Sequence, residues 1–290
     1  MGQGKSGSTI LGVALGNCDE VFFAGELCNW LMSSGRPLLG GRERVRFWKG
    51  VRDDVDGAEE LFGIETYRRF ERGLSLFRPD RWRGAARLRQ RYQHVTAGLY
   101  RAIAERAHAT HIVDSSHLPL RARELQRNDG IDMYLIFLVR DVEGVVASHA
   151  RDVKRHDIAE RRRLFLSTNI RMWWAYLLAS VVFLRQPEQR RLLIRHEDFV
   201  ADPAGVLQAV LDFAGSPGKL PDLSTLSTGI PLTGNPLLRS DTVAVAPRPA
   251  PPLRQSRLMR LAQRPWAAVV GLLQPVATGA KADRDGHKSP

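Results

Sequence analysis

The sequence predicts an α/β protein in which a parallel sheet of four to five strands is flanked by helices on both faces. Four short runs are continuously apolar rather than alternating, which is typical of strands buried on both faces. Each run is followed by a polar turn and then a helical pattern, the order expected of parallel strands joined by helices. The runs are VFFAG (21–25), HIVD (111–114), MYLIFLV (133–139) and LLIR (192–195).

Apolar residues spaced three and four apart predict the helices. One helix follows the opening loop, with Ile10 and Leu11 on its apolar face. A long helix is predicted over 85–107 and another over 157–185. These helices supply the outer layers of the predicted three-layer fold.

The chain divides into a predicted catalytic domain over 1–240 and a Pro/Arg-rich C-terminal segment over 241–290, with a disordered tail from about residue 279. Within the domain, residues 33–83 show no strand pattern and are rich in Gly, Arg and aromatic residues. We predict that 33–83 is a helical insertion over the edge of the sheet where ligands bind.

The composition favours an anionic ligand. The 290 residues include 43 Lys and Arg against 31 Asp and Glu, a formal charge of +12, and only six of the cations are lysines. Arginine suits bidentate binding of phosphate and sulfate, although a genome biased toward arginine codons would give the same excess.

The cysteines and the apolar runs predict a soluble cytoplasmic protein. Cys18 and Cys28 fit no zinc or haem pattern and cannot form a disulfide framework. The longest apolar run, 173–184, is too short to span a bilayer. No apolar signal-peptide core is visible near the N-terminus.

The opening stretch, MGQGKSGSTILGVALGN (1–17), is typical of an anion-binding loop that leads into a helix. Small residues leave backbone N–H groups free to surround an anion, and the helix adds its positive dipole end. Lys5 supplies a full charge. The residues of this loop are Gly4, Lys5, Ser6, Gly7, Ser8 and Thr9. A glycine-rich helix start that holds no ligand is the alternative.

Two motifs compete for this loop. In a Walker A motif, G-x-x-x-x-G-K-[ST], the first Gly would fall before Met1. The pattern K/R-S-G-[ST]-T, the phosphosulfate loop of sulfotransferases, is matched completely by KSGST (5–9). A second segment, RDVEGVVASHAR (140–151), places Arg140 at the carboxyl end of a predicted strand and Ser148 on the next helix.

Three further segments complete a resemblance to bacterial sulfotransferases. VDSSHLPLRA (113–122), RHEDFVADPAGVL (195–207) and TGNPLLR (233–239) resemble segments of that family and occur in its order. The resemblance implies a P-loop-like fold and the donor 3′-phosphoadenosine 5′-phosphosulfate (PAPS), with the product PAP. The reaction that the resemblance implies requires no metal.

The resemblance also implies residue roles. Glu26 is the expected base, although a Glu that caps the following helix is the alternative. Lys5 would stabilise the leaving phosphate. His117 stands where the family has Lys and either takes part in catalysis or has no role. The expected PAPS-binding residues are Lys5, Ser6, Gly7, Ser8, Thr9, Arg140, Ser148 and Arg239.

The acceptor class stays open between a small molecule, a carbohydrate and a lipid, and the oligomeric state is not predicted. One rival interpretation is a P-loop kinase or ATPase, with Asp114 holding Mg²⁺. A second rival, a nucleic-acid-binding protein, has only the charge in its favour, because no motif of that class is present.

The strand that normally precedes such a loop is not in the sequence, because only three residues precede Gly4. We therefore predict that the first central strand is missing or truncated. The native start would then lie upstream, or the chain would be an N-terminally shortened copy.

Overall fold

The structure is a computed structural model that describes residue 4, residues 6–71, 85–140, 145 and 173–245, and isolated positions between 261 and 271. Lys5 and Ser148, both predicted site residues, lie outside the described residues, as does most of the predicted C-terminal segment.

Helices and strands alternate along the chain. The helices are α1 (Ser8–Leu15), α2 (Asn29–Met32), α3 (Arg42–Asp53), α4 (Ile64–Phe70), α5 (Ala85–Ala107), α6 (Pro119–Leu125), α7 (His196–Ala201) and α8 (Pro203–Ala214). The strands are β1 (Val21–Gly25), β2 (His111–Asp114), β3 (Leu135–Val139), β4 (Arg191–Arg195), β5 (Leu226–Ser227) and β6 (Thr242–Val243). Short 3-10 helices cover Glu59–Leu61, Glu188–Arg190 and Pro236–Arg239, and residues 173–185 are helical.

All four predicted strands are confirmed, but they do not form one sheet. β1 pairs with β2 and β3 pairs with β4, both in parallel, and β5 and β6 form a small antiparallel pair. Across the described ranges, no strand joins β2 to β3. The prediction of a single sheet of four to five strands therefore differs from the observed pairs.

A cavity of about 540 Å³ is lined by residues of both strand pairs. Residues of β2 and β3 line it on two sides, and Leu11 and Leu15 of α1 also line it. A strand between the two pairs would offer hydrogen bonds to both facing edges. That the first central strand is missing or truncated stays a prediction.

Helix α1 packs against both strand pairs. Its sequence, STILGVAL, carries no charge, and Leu11, Val13 and Leu15 are buried in one cluster with Phe23 of β1 and Leu138 of β3. Gly12 is required here, because a Cβ would clash with the ring of Phe23. This close approach fixes the loop before α1 relative to the strand ends.

The described part of 33–83 is helical and packs on α5. A second core cluster contains Trp30, Trp48 and Phe70 together with Tyr92 and Leu99 of α5. The predicted helix over 85–107 is confirmed by α5, whereas the predicted helix over 157–185 is described only from 173 onward. In the part of the chain that was searched, no helix combines the length and apolarity needed to cross a membrane.

Candidate active site

The loop before α1 combines a buried hydroxyl with a glycine in left-handed backbone. Ser6 is fully buried, and its hydroxyl has no hydrogen-bond partner among the described residues. Gly7 adopts φ 96°, in the region that favours glycine, and no side chain caps the first turn of α1. A buried hydroxyl without a partner is costly in the free protein, so this one is suited to a ligand.

His196 contacts this loop. It is the first residue of α7, directly after β4, and a Cβ on Gly7 would clash with its Nδ1. The structure places its ring against the predicted phosphate loop.

Glu26 follows β1 directly and is held through its backbone and its carboxylate. Its N–H donates to the carbonyl of Thr233 (3.0 Å). Asn29 donates from Nδ2 to Oε2 of Glu26 (3.3 Å), and Nε2 of His117 lies 3.8 Å from Oε1. Glu26 and His117, predicted from distant parts of the sequence, therefore come together.

Burial shifts the pKa values of Glu26 and His117 in opposite directions. It raises the pKa of Glu26, with a further increase from the charge of Asp114, and the hydrogen bond from Asn29 only partly offsets this. Burial also lowers the pKa of His117 to about 4. At neutral pH the imidazole is therefore neutral in the free protein.

A buried polar cluster lies behind Glu26. Arg121 connects two carboxylates: Nε donates to Asp114 (3.1 Å) and Nη1 donates to Glu71 (2.6 Å). Tyr100 donates to Asp114 (2.7 Å) and Tyr92 donates to Glu71 (2.8 Å). Although burial alone would raise it, the pKa of Asp114 is lowered by the charge of Arg121 and by hydrogen bonds from Ser116 and Tyr100.

The remaining predicted residues are placed less completely. Ser8 lines the same cavity as His117, so the loop and the residues that follow β2 border a common space. Arg140 directly follows β3, and because Val139 pairs with Arg195, it stands level with His196. Arg239 is exposed at the end of a 3-10 helix.

Sequence reasoning missed the contacts between distant segments. Thr233 and Leu232 run beside the end of β1, where Leu232 donates to the carbonyl of Ala24 (2.9 Å). The burial of Glu71 and Arg121 gave no signal, because nothing around a single charged residue in the sequence identifies its partner. A buried charge becomes apparent only when its partner is known.

The described residues contain no group of three or more His, Cys, Asp or Glu side chains arranged to hold a metal ion. Cys18 and Cys28 are both free and buried, and burial raises the pKa of Cys28 to about 12. A thiol with this pKa is protonated at neutral pH and is a weak nucleophile.

Known proteins resemble the chain in family and in fold. Residues 1–221 match the family model described as the Sulfotransferase family. The fold is similar to the sulfotransferase domain from the curacin biosynthetic pathway, with a TM-score of 0.54 and 17% identity over 94% of this chain and 96% of that one. It is also similar to the sulfotransferase domain of the Synechococcus PCC 7002 olefin synthase, with a TM-score of 0.50 and 19% identity over 93% and 92% of the two chains. No curated protein matches the chain significantly.

Proposed function

The chain belongs to the sulfotransferase family, and on that premise we propose that it transfers the sulfuryl group of PAPS to a hydroxyl of a small-molecule, carbohydrate or lipid acceptor. The observation that supports this most directly is the pair formed by Glu26 and His117, in which His117 lines the same cavity as Ser8 of the loop.

Glu26 is the proposed base. Its carboxylate takes the proton of the acceptor hydroxyl as the oxygen attacks sulfur in line and the bond from sulfur to the phosphate oxygen breaks. A raised pKa strengthens a carboxylate as a base while it stays ionised, and burial raises the pKa of Glu26. Lys5 is proposed to stabilise the charge on the departing phosphate.

Residues 6–9 fit the 5′-phosphosulfate. Ser6 offers a buried hydroxyl without a partner among the described residues, and Gly7 leaves room where a Cβ would clash with His196. The uncapped N–H groups of α1 favour an anion. When bound, PAPS supplies the activated sulfuryl group. Arg140 and Ser148 are proposed to bind the 3′-phosphate of PAPS and Arg239 to reach a phosphate of the same molecule, with no metal taking part.

His117 is proposed to act as a neutral hydrogen-bonding group. With a pKa of about 4, its imidazole carries one N–H at neutral pH and can donate it to an oxygen of the transferring group. The family Lys would bring a charge instead, so this residue is where the chain departs from the family pattern.

The rival kinase or ATPase is disfavoured by the surroundings of Asp114. Its Oδ1 accepts hydrogen bonds from Leu27 and Ser116, and its Oδ2 accepts from Tyr100 and Arg121. A carboxylate already engaged by these donors is a poor ligand for Mg²⁺, which demands near-ideal octahedral oxygen coordination.

The decisive experiment compares donors and then seeks the acceptor. Purified protein is titrated with PAP and, separately, with ATP and Mg²⁺; binding of PAP and not of ATP is expected. Radiolabelled PAPS is then added to a cell extract with the protein or with its Glu26→Gln variant, and labelled products are identified. Tight ATP binding without PAP binding would refute the proposal.

The cell compartment belongs to the same proposal. Because both cysteines are free and buried, the protein needs no oxidising environment. We therefore place it in the cytoplasm, where PAPS-dependent transfer to a metabolite would take place.

A further inference from the structure

Both carboxylate oxygens of Asp114, at the end of β2, are engaged. Oδ1 accepts from the backbone N–H of Leu27 (3.3 Å), from the N–H of Ser116 (2.8 Å) and from the hydroxyl of Ser116 (2.5 Å). Oδ2 accepts from the hydroxyl of Tyr100 (2.7 Å) and from Nε of Arg121 (3.1 Å). Asp114 therefore joins the groups on its two sides through its own carboxylate.

The donors to Oδ1 of Asp114 include the backbone of the turn that follows Glu26. The N–H of Leu27 ends on Asp114, and the N–H of Cys28 donates to the hydroxyl oxygen of Ser116 (2.9 Å). That hydroxyl in turn donates to Asp114. The first two N–H groups after Glu26 are thus held by Asp114, directly or through one side chain.

We propose that Asp114 is a positioning residue, whose carboxylate holds the turn after Glu26, directly and through Ser116, and so keeps the Glu26 carboxylate beside His117. The inference rests on the proposed function in one respect, because the consequence for turnover assumes that Glu26 is the base. The positioning itself concerns the free protein and does not depend on the reaction.

The donors to Oδ2, Tyr100 and Arg121, anchor Asp114. Arg121 is nearly fully buried between Asp114 and Glu71, which directly follows α4 of the predicted insertion. Tyr100 of α5 holds the same oxygen as Arg121. Asp114 is therefore held by α5 through Tyr100 and by α6 through Arg121, and Arg121 is held in turn by Glu71 after α4. The insertion is thereby connected through Arg121 and Asp114 to the turn that carries the base.

The charges around Glu26 agree with this arrangement. Among the described residues, the titratable groups that face it are His117, three residues after β2, and Asp114. Cys28, in the same turn, is protonated at neutral pH. Asp114 is thus the one negative group in this set, and its removal should make Glu26 easier to ionise as well as less well placed.

The first experiment compares two buried carboxylates that share Arg121. Asp114→Asn and Glu71→Gln each remove one negative charge next to Arg121, but of these two only Asp114 contacts the turn after Glu26. We expect Asp114→Asn to slow transfer by about 10- to 100-fold, since small misplacements of a reacting group cost this much. PAP affinity should change less than about twofold, a difference too small to signal a lost contact. Because Glu71 acts on Asp114 only through Arg121, we expect Glu71→Gln to slow transfer less than Asp114→Asn does.

A milder pair keeps the test valid if Asp114→Asn does not fold. Ser116→Ala removes the link to the N–H of Cys28, whereas Ser115→Ala removes a neighbouring hydroxyl that makes no hydrogen bond to the turn within the described residues. Amide hydrogen exchange of Leu27 and Cys28 is measured in the free protein. Ser116→Ala should speed exchange at Cys28 at least about tenfold, as expected when a protecting hydrogen bond is lost, and Ser115→Ala should not.

The titration of the Glu26 carboxyl, followed by NMR, gives a readout that a purely structural role would not change. Its midpoint should move to lower pH in Asp114→Asn and stay in place in Glu71→Gln. The positioning role is wrong if exchange at Leu27 and Cys28 and the Glu26 titration are the same in all four variants. Should Glu26→Gln retain full transfer, the proposed base is wrong, while the exchange data still decide the role of Asp114.

Discussion

Oε1 of Glu26 lies 3.8 Å from Nε2 of His117. Glu26 follows β1 and His117 follows β2, and because these strands are parallel, with Gly25 opposite Asp114, both side chains emerge at the same edge. Burial raises the pKa of the acid and lowers that of the imidazole. Near neutral pH the pair therefore consists of a carboxyl group with a raised pKa and a neutral imidazole.

Replacing Glu26 by Gln should abolish the base and keep the fold. The change is nearly isosteric, and Asn29 can still bond to the side-chain oxygen. Transfer should fall by about 10²- to 10⁴-fold, the range associated with one general base. Single-turnover sulfation measures the loss, and PAP titration should give an unchanged affinity. Glu43→Gln, an exposed acid on α3, is the matched control and should behave as the wild type. Full activity of Glu26→Gln would assign the base elsewhere.

His117 should make the folded protein sensitive to mild acid. Its pKa is about 4 in the folded protein against 6.5 for an unperturbed imidazole, so between these values the unfolded chain binds a proton that the folded protein does not. The free energy of unfolding should therefore decrease as the pH falls from 6.5 to 4, by about 1–3 kcal/mol at 1.36 kcal/mol per pKa unit.

The His117→Gln variant isolates this effect. Other groups also titrate in this range, so the measurement is the difference in urea unfolding between wild type and variant at several pH values. The free energy of unfolding of the wild type minus that of the variant should decrease as the pH falls, because the variant has no imidazole to protonate. A constant difference would show that the imidazole titrates normally in the folded protein.

The strands and the long helix were predictable because their signal is local. VFFAG and HIVD match β1 and β2 residue for residue, and 85–107 matches α5. Uninterrupted apolar runs and three- and four-residue spacing are set by burial of the segment itself. Glu26 was implied by the family resemblance, and its position directly after β1 agrees with the rule that polar residues after buried strands reach a common edge.

The separation of the sheet and the contacts of the site were not predictable in this way. Strand order depends on which edges meet, and nothing in β2 or β3 alone specifies the cavity between them. The contact between His196 and Gly7 joins residues that lie far apart in the sequence. The same is true of the ion pair between Arg121 and Glu71, whereas Asp114, the other partner of Arg121, is close to it in the sequence. Such pairs leave no periodic pattern in a single sequence.

Gly7 should be essential to the loop, while Gly4 should not. Gly7→Ala would place a Cβ at φ 96° and against His196, and the left-handed backbone alone costs roughly 1–2 kcal/mol. The loop must shift, so PAP affinity should fall at least about tenfold. Gly4→Ala is the control, because nothing lies within 4 Å of its Cβ position. Isothermal titration with PAP compares them, and equal affinities would show that the loop does not form the site.

Ser6 provides a prediction in which stability and affinity change in opposite directions. Its hydroxyl is fully buried and has no partner among the described residues, and a buried polar group in that state costs about 1–3 kcal/mol. Ser6→Ala should therefore raise the free energy of unfolding of the free protein by about 1 kcal/mol or leave it unchanged, since the penalty is removed at little cost in packing.

The affinity of the same variant for PAP should fall. If the Ser6 hydroxyl binds a phosphosulfate, Ser6→Ala should bind PAP about tenfold more weakly, which corresponds to the loss of one hydrogen bond of about 1.4 kcal/mol. Urea unfolding and PAP titration give the two values on the same preparation. A variant that loses stability and keeps its PAP affinity would show that Ser6 serves the fold rather than a ligand.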